Sequence, residues 1–290
     1  MGFNPSFPDQ YQTTDEVNAF QLVDGVGQYS NQSDLITNEG FPVLLYGKYI
    51  LLHSGDDIFT GTGFDSPGWD NIANGNRGAD SLFGFFNSRD FLRGGREGDF
   101  VSGDVGGDDF LLGDAEDDTV NASTDVNSKN IVRGGRGNDA LNGNDGIDLL
   151  CGDLGKDFMF GGTNRDYFML RTDKITDGDT ILNNLSANPD DVDVITDFNI
   201  FDDYIVLPGI TTLNEIKLEP VPGTANDYYI GVIQPDFSVL YAGRANSNGA
   251  LVDTRDIIVG DRATTALSAA DGNDPTSFMN NPNIIDVAAV

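Results

Sequence analysis

From Leu51 to Met169 the chain repeats itself with a period of about nine residues. The cleanest stretch runs unbroken from Gly134 to Met169 as GGRGNDALN, GNDGIDLLC, GDLGKDFMF and GGTNRDYFM. Each unit has a glycine-rich turn, an aspartate at its sixth place and an apolar residue at its eighth. Such a unit has room for only two or three residues of strand, with the eighth-place side chain on one face and its neighbours on the other. One unit cannot bury that side chain alone. Successive units must stack so that the inward residues form a continuous core and each strand finds hydrogen-bond partners above and below.

The phase holds well beyond the clean stretch. The sixth place falls at Asp57, Asp70, Asp80, Asp90, Asp99, Asp109, Asp118, Asn130, Asp139, Asp148, Asp157 and Asp166. The eighth falls at Phe59, Ile72, Leu82, Leu92, Val101, Leu111, Val120, Val132, Leu141, Leu150, Met159 and Phe168. All of these are apolar in a chain that is only 39% hydrophobic, so composition alone does not produce the pattern. Extra residues enter at Phe64 to Pro67 and at Ala122 to Lys129, and insertions in surface turns cost little free energy. Turn carbonyls and the sixth-place carboxylates converge between stacked turns. Calcium, which takes about six to eight hard oxygen ligands in a forgiving geometry, suits that arrangement.

The pattern G-G-x-G-x-D-x-U-x resembles the RTX, or haemolysin-type calcium-binding, family, and in particular its short secreted members in Gram-negative bacteria, cyanobacteria among them. The resemblance covers about 120 of the 290 residues. It implies an all-β, right-handed parallel β-roll in which two nonapeptides make one turn, so that units n and n+2 stack. It also implies that each ion bridges two such units through sixth-place aspartates and turn carbonyls. The expected carboxylate ligands are Asp57, Asp80, Asp99, Asp118, Asp139 and Asp157 on one edge. On the other they are Asp70, Asp90, Asp109, Asp148 and Asp166, with Asn130 interrupting the series. The expected carbonyl ligands are those of Gly134, Gly135, Arg136, Gly137, Gly143, Asn144, Asp145, Gly146, Gly152, Asp153, Leu154 and Gly155.

Charge points the same way. With 47 acidic and 16 basic residues the formal net charge is −31, and such self-repulsion opposes a compact state. Roughly six to nine calcium ions would offset about 12 to 18 of those charges. No basic patch exists to replace phosphate counterions, which argues against nucleic acid as a partner. There is no run of eighteen apolar residues for a membrane helix. The opening MGFNPSFPDQ lacks the basic and apolar regions of a secretory signal. Cytosolic calcium is nevertheless too scarce for sites of roughly millimolar affinity. The resemblance reconciles these points through type I export, which reads a C-terminal signal; the tail FMNNPNIIDVAAV is compatible with one.

Residues 1–50 read as an N-terminal cap, 51–169 as the roll, 170–262 as a small β-rich capping domain, and 263–290 as a tail carrying the export signal, polar and loosely ordered from about Ala263 to Asn283. DVDVITDFNIFDDYIVLPG resembles the segment that closes RTX arrays; its Asp193, Asp197, Asp202 and Asp203 either bind a further ion or are solvated loop carboxylates. The seventh place of one edge reads Asn71, Phe91, Phe110, Ile131, Leu149 and Tyr167. So apolar an outward stripe requires a cover: the chain's own flanks, another copy, or a ligand surface. Cys151 and the only histidine, His53, read as structural residues. That single histidine excludes a two-histidine zinc motif, and no G-x-S-x-G elbow occurs. The expectation is a secreted, calcium-binding structural protein of the cell surface or extracellular matrix, folding with calcium and self-assembling, and not an enzyme. The alternatives are a polysaccharide-binding module and an enzyme with its site in the C-terminal region.

Overall fold

The computed structural model describes residues 21–23, 26–28, 35–36, 49–61, 69–173, 175–177, 180–182, 184–250, 253–270 and 279. The expected N-terminal cap and the end of the tail lie mostly outside them. Short strands alternate between two long sheets, giving a parallel β-solenoid of about 6 turns. In the repeat region the first sheet holds Asn71–Arg77, Asp90–Arg96, Phe110–Ala115, Ile131–Arg136, Leu149–Leu154 and Tyr167–Met169. The second holds Ile58–Thr60, Ser81–Phe83, Phe100–Ser102, Thr119–Asn121, Ala140–Asn142 and Phe158–Phe160. Neighbours within each sheet are parallel, and each repeat pairs with the one two units on, as in Phe110↔Ile131 and Val120↔Leu141. The insertion at Ala122 to Lys129 bulges out of a turn without shifting that pairing.

The eighth-place residues form the core between the sheets. Phe59, Leu82, Val101, Val120, Leu141 and Met159 face Leu92, Leu111, Val132, Leu150 and Phe168, and none is more than 2% exposed. Burying each such side chain contributes roughly 1.5–3 kcal/mol, so the stacked column is the main source of stability.

One repeat departs from the expected phase. Asn71 pairs with Asp90, Ile72 with Phe91 and Ala73 with Leu92. Ala73 is therefore the inward residue, and Ile72 faces outward beside Trp69 and Phe91. The sixth place here is Asn71, not Asp70. The preceding turn carries extra residues, and a slip of one position exchanges the two faces of a strand.

The core continues past the last nonapeptide. Asp193–Phe198 pairs in parallel with Phe158–Phe160, and Tyr204–Val206 with Tyr167–Met169. Ile195, Phe198, Ile205, Leu207, Ile230, Val232 and Ala245 join the same apolar cluster. An antiparallel meander of Ile216–Pro220, Asp227–Ile233 and Val239–Ser247 then ends the second sheet. The C-terminal β region is thus a cap continuous with the roll, closing an edge that would otherwise invite further strands.

The segment after Ala263, expected to be loosely ordered, instead enters an α-helix, Asp261–Ala270, which crosses the expected boundary at 262/263. Ala263, Ala266, Ala269 and Ala270 recur at helical spacing on one buried face. That face lies on the outer side of the first sheet, clustered with Phe91, Phe110, Ile131, Leu149, Cys151 and Tyr167. The apolar stripe is therefore covered from within the chain. Small alanines let the helix sit close to a sheet surface already filled by large side chains.

Candidate metal sites between the turns

The sixth-place residues form two ladders. On the second-sheet edge the backbone N–H of Asp57 donates to Asp80 Oδ1 at 2.8 Å. The same bond runs from Asp80 to Asp99, Asp99 to Asp118, Asp118 to Asp139 and Asp139 to Asp157, at 2.7–2.8 Å. On the first-sheet edge it runs from Asp90 to Asp109, Asp109 to Asn130, Asn130 to Asp148 and Asp148 to Asp166, at 2.9–3.0 Å. One side-chain oxygen of each accepting residue is thereby spent on fixing the register between turns.

The other oxygen is not. Oδ2 of Asp80, Asp99, Asp109, Asp118, Asp139, Asp148, Asp157 and Asp166 is buried with no hydrogen-bond partner. Buried polar atoms are nearly always paired, and an unpaired charge in the interior is expensive. The same atom is left unpaired in eight equivalent positions, a regular array of acceptors that a cation could use.

The turns are shaped to keep room around these atoms. A Cβ on Gly134 would lie 2.2 Å from Asp139 Oδ2, and the same holds within 2.1–2.5 Å for Gly75, Gly94, Gly103, Gly113, Gly152 and Gly161 with their own aspartates. Beside Gly75, the Gly94 carbonyl converges with Asp80 Oδ2 at 2.6 Å and 2.1 Å from that point; beside Gly143, the Gly161 carbonyl and Asp148 Oδ2 do likewise at 2.4 Å and 2.7 Å. Any larger residue at the first place would displace the carboxylate. A second glycine, Gly155, adopts φ +140°, with the Gly137 carbonyl 1.6 Å from where a Cβ would be, so the turns themselves pack in direct contact.

Burial holds these carboxyls well above the usual range. It raises Asp80 and Asp139 to about 6 and Asp99 and Asp118 to about 8. Asp157 rises to about 10, through burial and then the charge of Asp193. Asp109, Asp148 and Asp166 are also raised well, by burial first; in Asp109 and Asp166 a like-charged ladder neighbour comes next. Loss of hydration is thus the main cause everywhere, and a cation among the carboxylates would relieve it.

Three expected positions differ from the rest. Asp70 stands outside the ladder; its Oδ2 accepts from the Arg89 N–H at 3.0 Å. Asp90 is in register, yet both its oxygens are bonded by protein, Oδ1 by Asn71 Nδ2 at 2.6 Å and Oδ2 by the Ser88 hydroxyl at 2.8 Å. Asn130 supplies its own donor to the ladder, Nδ2 to Asp148 Oδ1 at 2.8 Å. In the Asn71–Asp90 and Asn130–Asp148 steps an amide N–H therefore donates to the next carboxylate, a side-chain donor that the carboxylate-to-carboxylate steps lack. Among the expected carbonyl donors, that of Leu154 accepts from Gly137 N–H at 3.0 Å, that of Asn144 from Thr163 N–H at 2.9 Å, and that of Asp145 from the Ser128 hydroxyl at 3.1 Å. The side chain of Asp153 is held by Arg133 and Arg171.

Both ladders run further than the repeat. Asp157 N–H donates to Asp193 Oδ1 at 3.1 Å, and Asp166 N–H to Asp203 Oδ1 at 3.0 Å. Asp197 accepts from the Gly161 and Gly162 N–H groups. Asp193 and Asp203 are buried ladder members, not solvated loop residues. Asp202 remains exposed.

The donor set is all oxygen, with each turn contributing a carboxylate and carbonyls, and it fits a hard cation such as calcium better than a thiophilic or imidazole-seeking metal. Among the described residues no three His, Cys, Asp or Glu side chains converge into one group, so an ion here would rest on backbone carbonyls as much as on side chains. His53 is buried, and its carbonyl accepts from Arg77 N–H and Asn76 Nδ2. In fold and turn chemistry the protein is a parallel β-solenoid with buried, aspartate-rich turns, and its sequence matches no protein-family model and no curated protein.

Proposed function

We propose that the chain is an RTX-type β-roll whose turns are joined by calcium, and that it serves as a rigid structural protein of the cell surface or extracellular matrix. The observation that carries this reading is the set of eight buried, unpartnered carboxylate oxygens on two ladders. Asp80, Asp99, Asp118, Asp139 and Asp157 would hold ions on one edge, and Asp109, Asp148 and Asp166 on the other, with carbonyls of the first-place glycines. When bound, calcium supplies the positive charge that the buried carboxylates lack.

Such a protein is a calcium-gated folder. At cytosolic calcium its −31 charge opposes the fold; outside the cell the ions bind only the stacked state and so stabilise it. Export before folding, by a type I route, follows from that logic. Self-association through the first sheet's apolar column is no part of this reading, because the helix Asp261–Ala270 covers that column. Circular dichroism combined with size-exclusion light scattering, with and without chelator, tests the proposal. The β signal is expected to vanish in chelator and return with calcium, with far less response to magnesium, which demands a stricter octahedron and keeps its waters. A spectrum unchanged by chelator would contradict it.

A further inference from the structure

The outer side of the second sheet differs from the rest of the surface. Its outward residues on six consecutive strands are Ile58 and Thr60, Ser81 and Phe83, Phe100 and Ser102, Thr119 and Asn121, Ala140 and Asn142, and Phe158 and Phe160. Not one is charged, in a chain carrying 47 acidic and 16 basic residues. None is fully buried, and Phe158 and Phe160 are 50% and 46% exposed. The first sheet's outer column has its helix, whereas this face meets solvent.

The aromatic residues are placed in two groups. Phe83 and Phe100 stand on adjacent strands with ring centroids 5.5 Å apart. Phe158 and Phe160 flank Met159 on one strand. The register Phe100↔Thr119↔Ala140↔Phe158 puts Phe100 and Phe158 in one column, three strand spacings or about 14 Å apart. Between them lie Ser102, Thr119, Asn121 and Asn142, which offer hydroxyl and amide groups and no charge.

We propose that this face binds a neutral polysaccharide. A pyranose ring presents a face of weakly positive C–H bonds, which packs on the negative face of an aromatic ring, and a rim of hydroxyls that pair with hydroxyls and amides. Two aromatic platforms with polar side chains between them match a short run of linked sugar rings. Electrostatics selects this occupant over a second copy of the chain: pairing two such faces would bring two strongly anionic molecules together, and even roughly six to nine calcium ions leave each one acidic. An uncharged glycan meets no such opposition. An acidic glycan would be repelled by the surrounding carboxylates. The inference uses the stacked fold and does not depend on which ion, if any, joins the turns.

The test is titration calorimetry of the folded full chain, in calcium, with cello-, xylo-, manno-, laminari- and chito-hexaose, and an alginate oligomer as the acidic control. Binding to at least one neutral hexaose is expected. Phe100→Ser and Phe158→Ser should each weaken it by about tenfold or more, while Phe237→Ser, at the exposed tip of the hairpin between Asp227–Ile233 and Val239–Ser247 and outside the six strands of the face, should change it by less than about twofold. In the wild type the ring resonances of Phe83, Phe100, Phe158 and Phe160 should shift on titration while that of Phe237 stays. Binding to none of the neutral glycans would overturn the proposal. So would preference for alginate, unchanged affinity in both face variants, or a dimer that those two substitutions dissociate.

Discussion

Replacing Asp118 by asparagine should change the sign of its effect with calcium. Asp118 is 2% exposed, its Oδ1 accepts the Asp99 N–H at 2.7 Å, and its Oδ2 has no partner. Asparagine preserves the acceptor and the volume and removes the charge. In chelator, burial lifts the carboxyl from 3.8 to about 8, so at pH 7 the fold must protonate a group that is ionised when unfolded. About three pH units separate pH 7 from the carboxyl's ordinary value, equivalent to roughly 4 kcal/mol before screening. The side chain is sealed by its neighbours but lies one layer beneath the wet turn edge, and screening there reduces this to roughly 1–3 kcal/mol. Asp118→Asn should therefore stabilise the metal-free roll by that amount. In calcium the order reverses. An ion held at a hundred times its Kd adds about 2.7 kcal/mol, and the variant forgoes much of it. Urea midpoints in calcium and in chelator measure both arms; where the metal-free chain is unfolded, the osmolyte concentration that refolds it replaces the second. Destabilisation in both conditions, or no change in calcium, would refute the reasoning.

Acidity should replace calcium in part. Because the ladder carboxyls are raised in the fold, the stability they permit is fully present below about pH 4 and is lost as pH rises through 6 to 8, the range set by Asp80, Asp139, Asp99 and Asp118. The chelated chain should thus hold most β signal by circular dichroism near pH 4–5, and a signal that grows steadily toward pH 8 would contradict this. Gly134→Ala places a Cβ 2.2 Å from Asp139 Oδ2; a loss of about 1–3 kcal/mol in urea melts and a weaker calcium isotherm are expected. Ala266→Asp buries a charge between the helix and the first sheet. It should release the helix and expose Ile131 and Leu149, seen as a rise in hydrophobic-dye fluorescence with the β signal retained.

Much of this architecture is legible in the sequence because the nonapeptide is both a spacing rule and a burial rule. Leu92, Leu111, Val132 and Leu150 fall at the eighth place and into the core, and the sixth-place aspartates fall onto the ladders that their spacing defines. Phase fails where spacing does. The enlarged turn before Asn71 moves the strand by one residue, which puts Ala73 inside in place of Ile72 and takes Asp70 off the ladder. Asp193 and Asp203 follow their ladder partners by 36 and 37 residues, about twice the 18-residue step that precedes them and with no nonapeptide between to carry the phase; the signal that remains is an aspartate two places before an apolar residue, Asp193 before Ile195 and Asp203 before Ile205. The helix Asp261–Ala270 escapes because its buried residues are alanines in a polar segment, and its partner strands lie more than a hundred residues earlier. The sufficiency of Ser88 and Asn71 as partners for Asp90 is a matter of side-chain geometry that no spacing encodes.

A crystal of the protein grown in calcium, measured at a wavelength where calcium scatters anomalously, addresses the ions most directly. Peaks should line both edges of the roll beside Oδ2 of Asp80, Asp99, Asp118, Asp139 and Asp157, and of Asp109, Asp148 and Asp166, with weaker or no density beside Oδ2 of Asp90, which Ser88 already bonds, and beside the Asn130 amide. Turns without anomalous density, their aspartates bonded only to protein and water, would contradict the account.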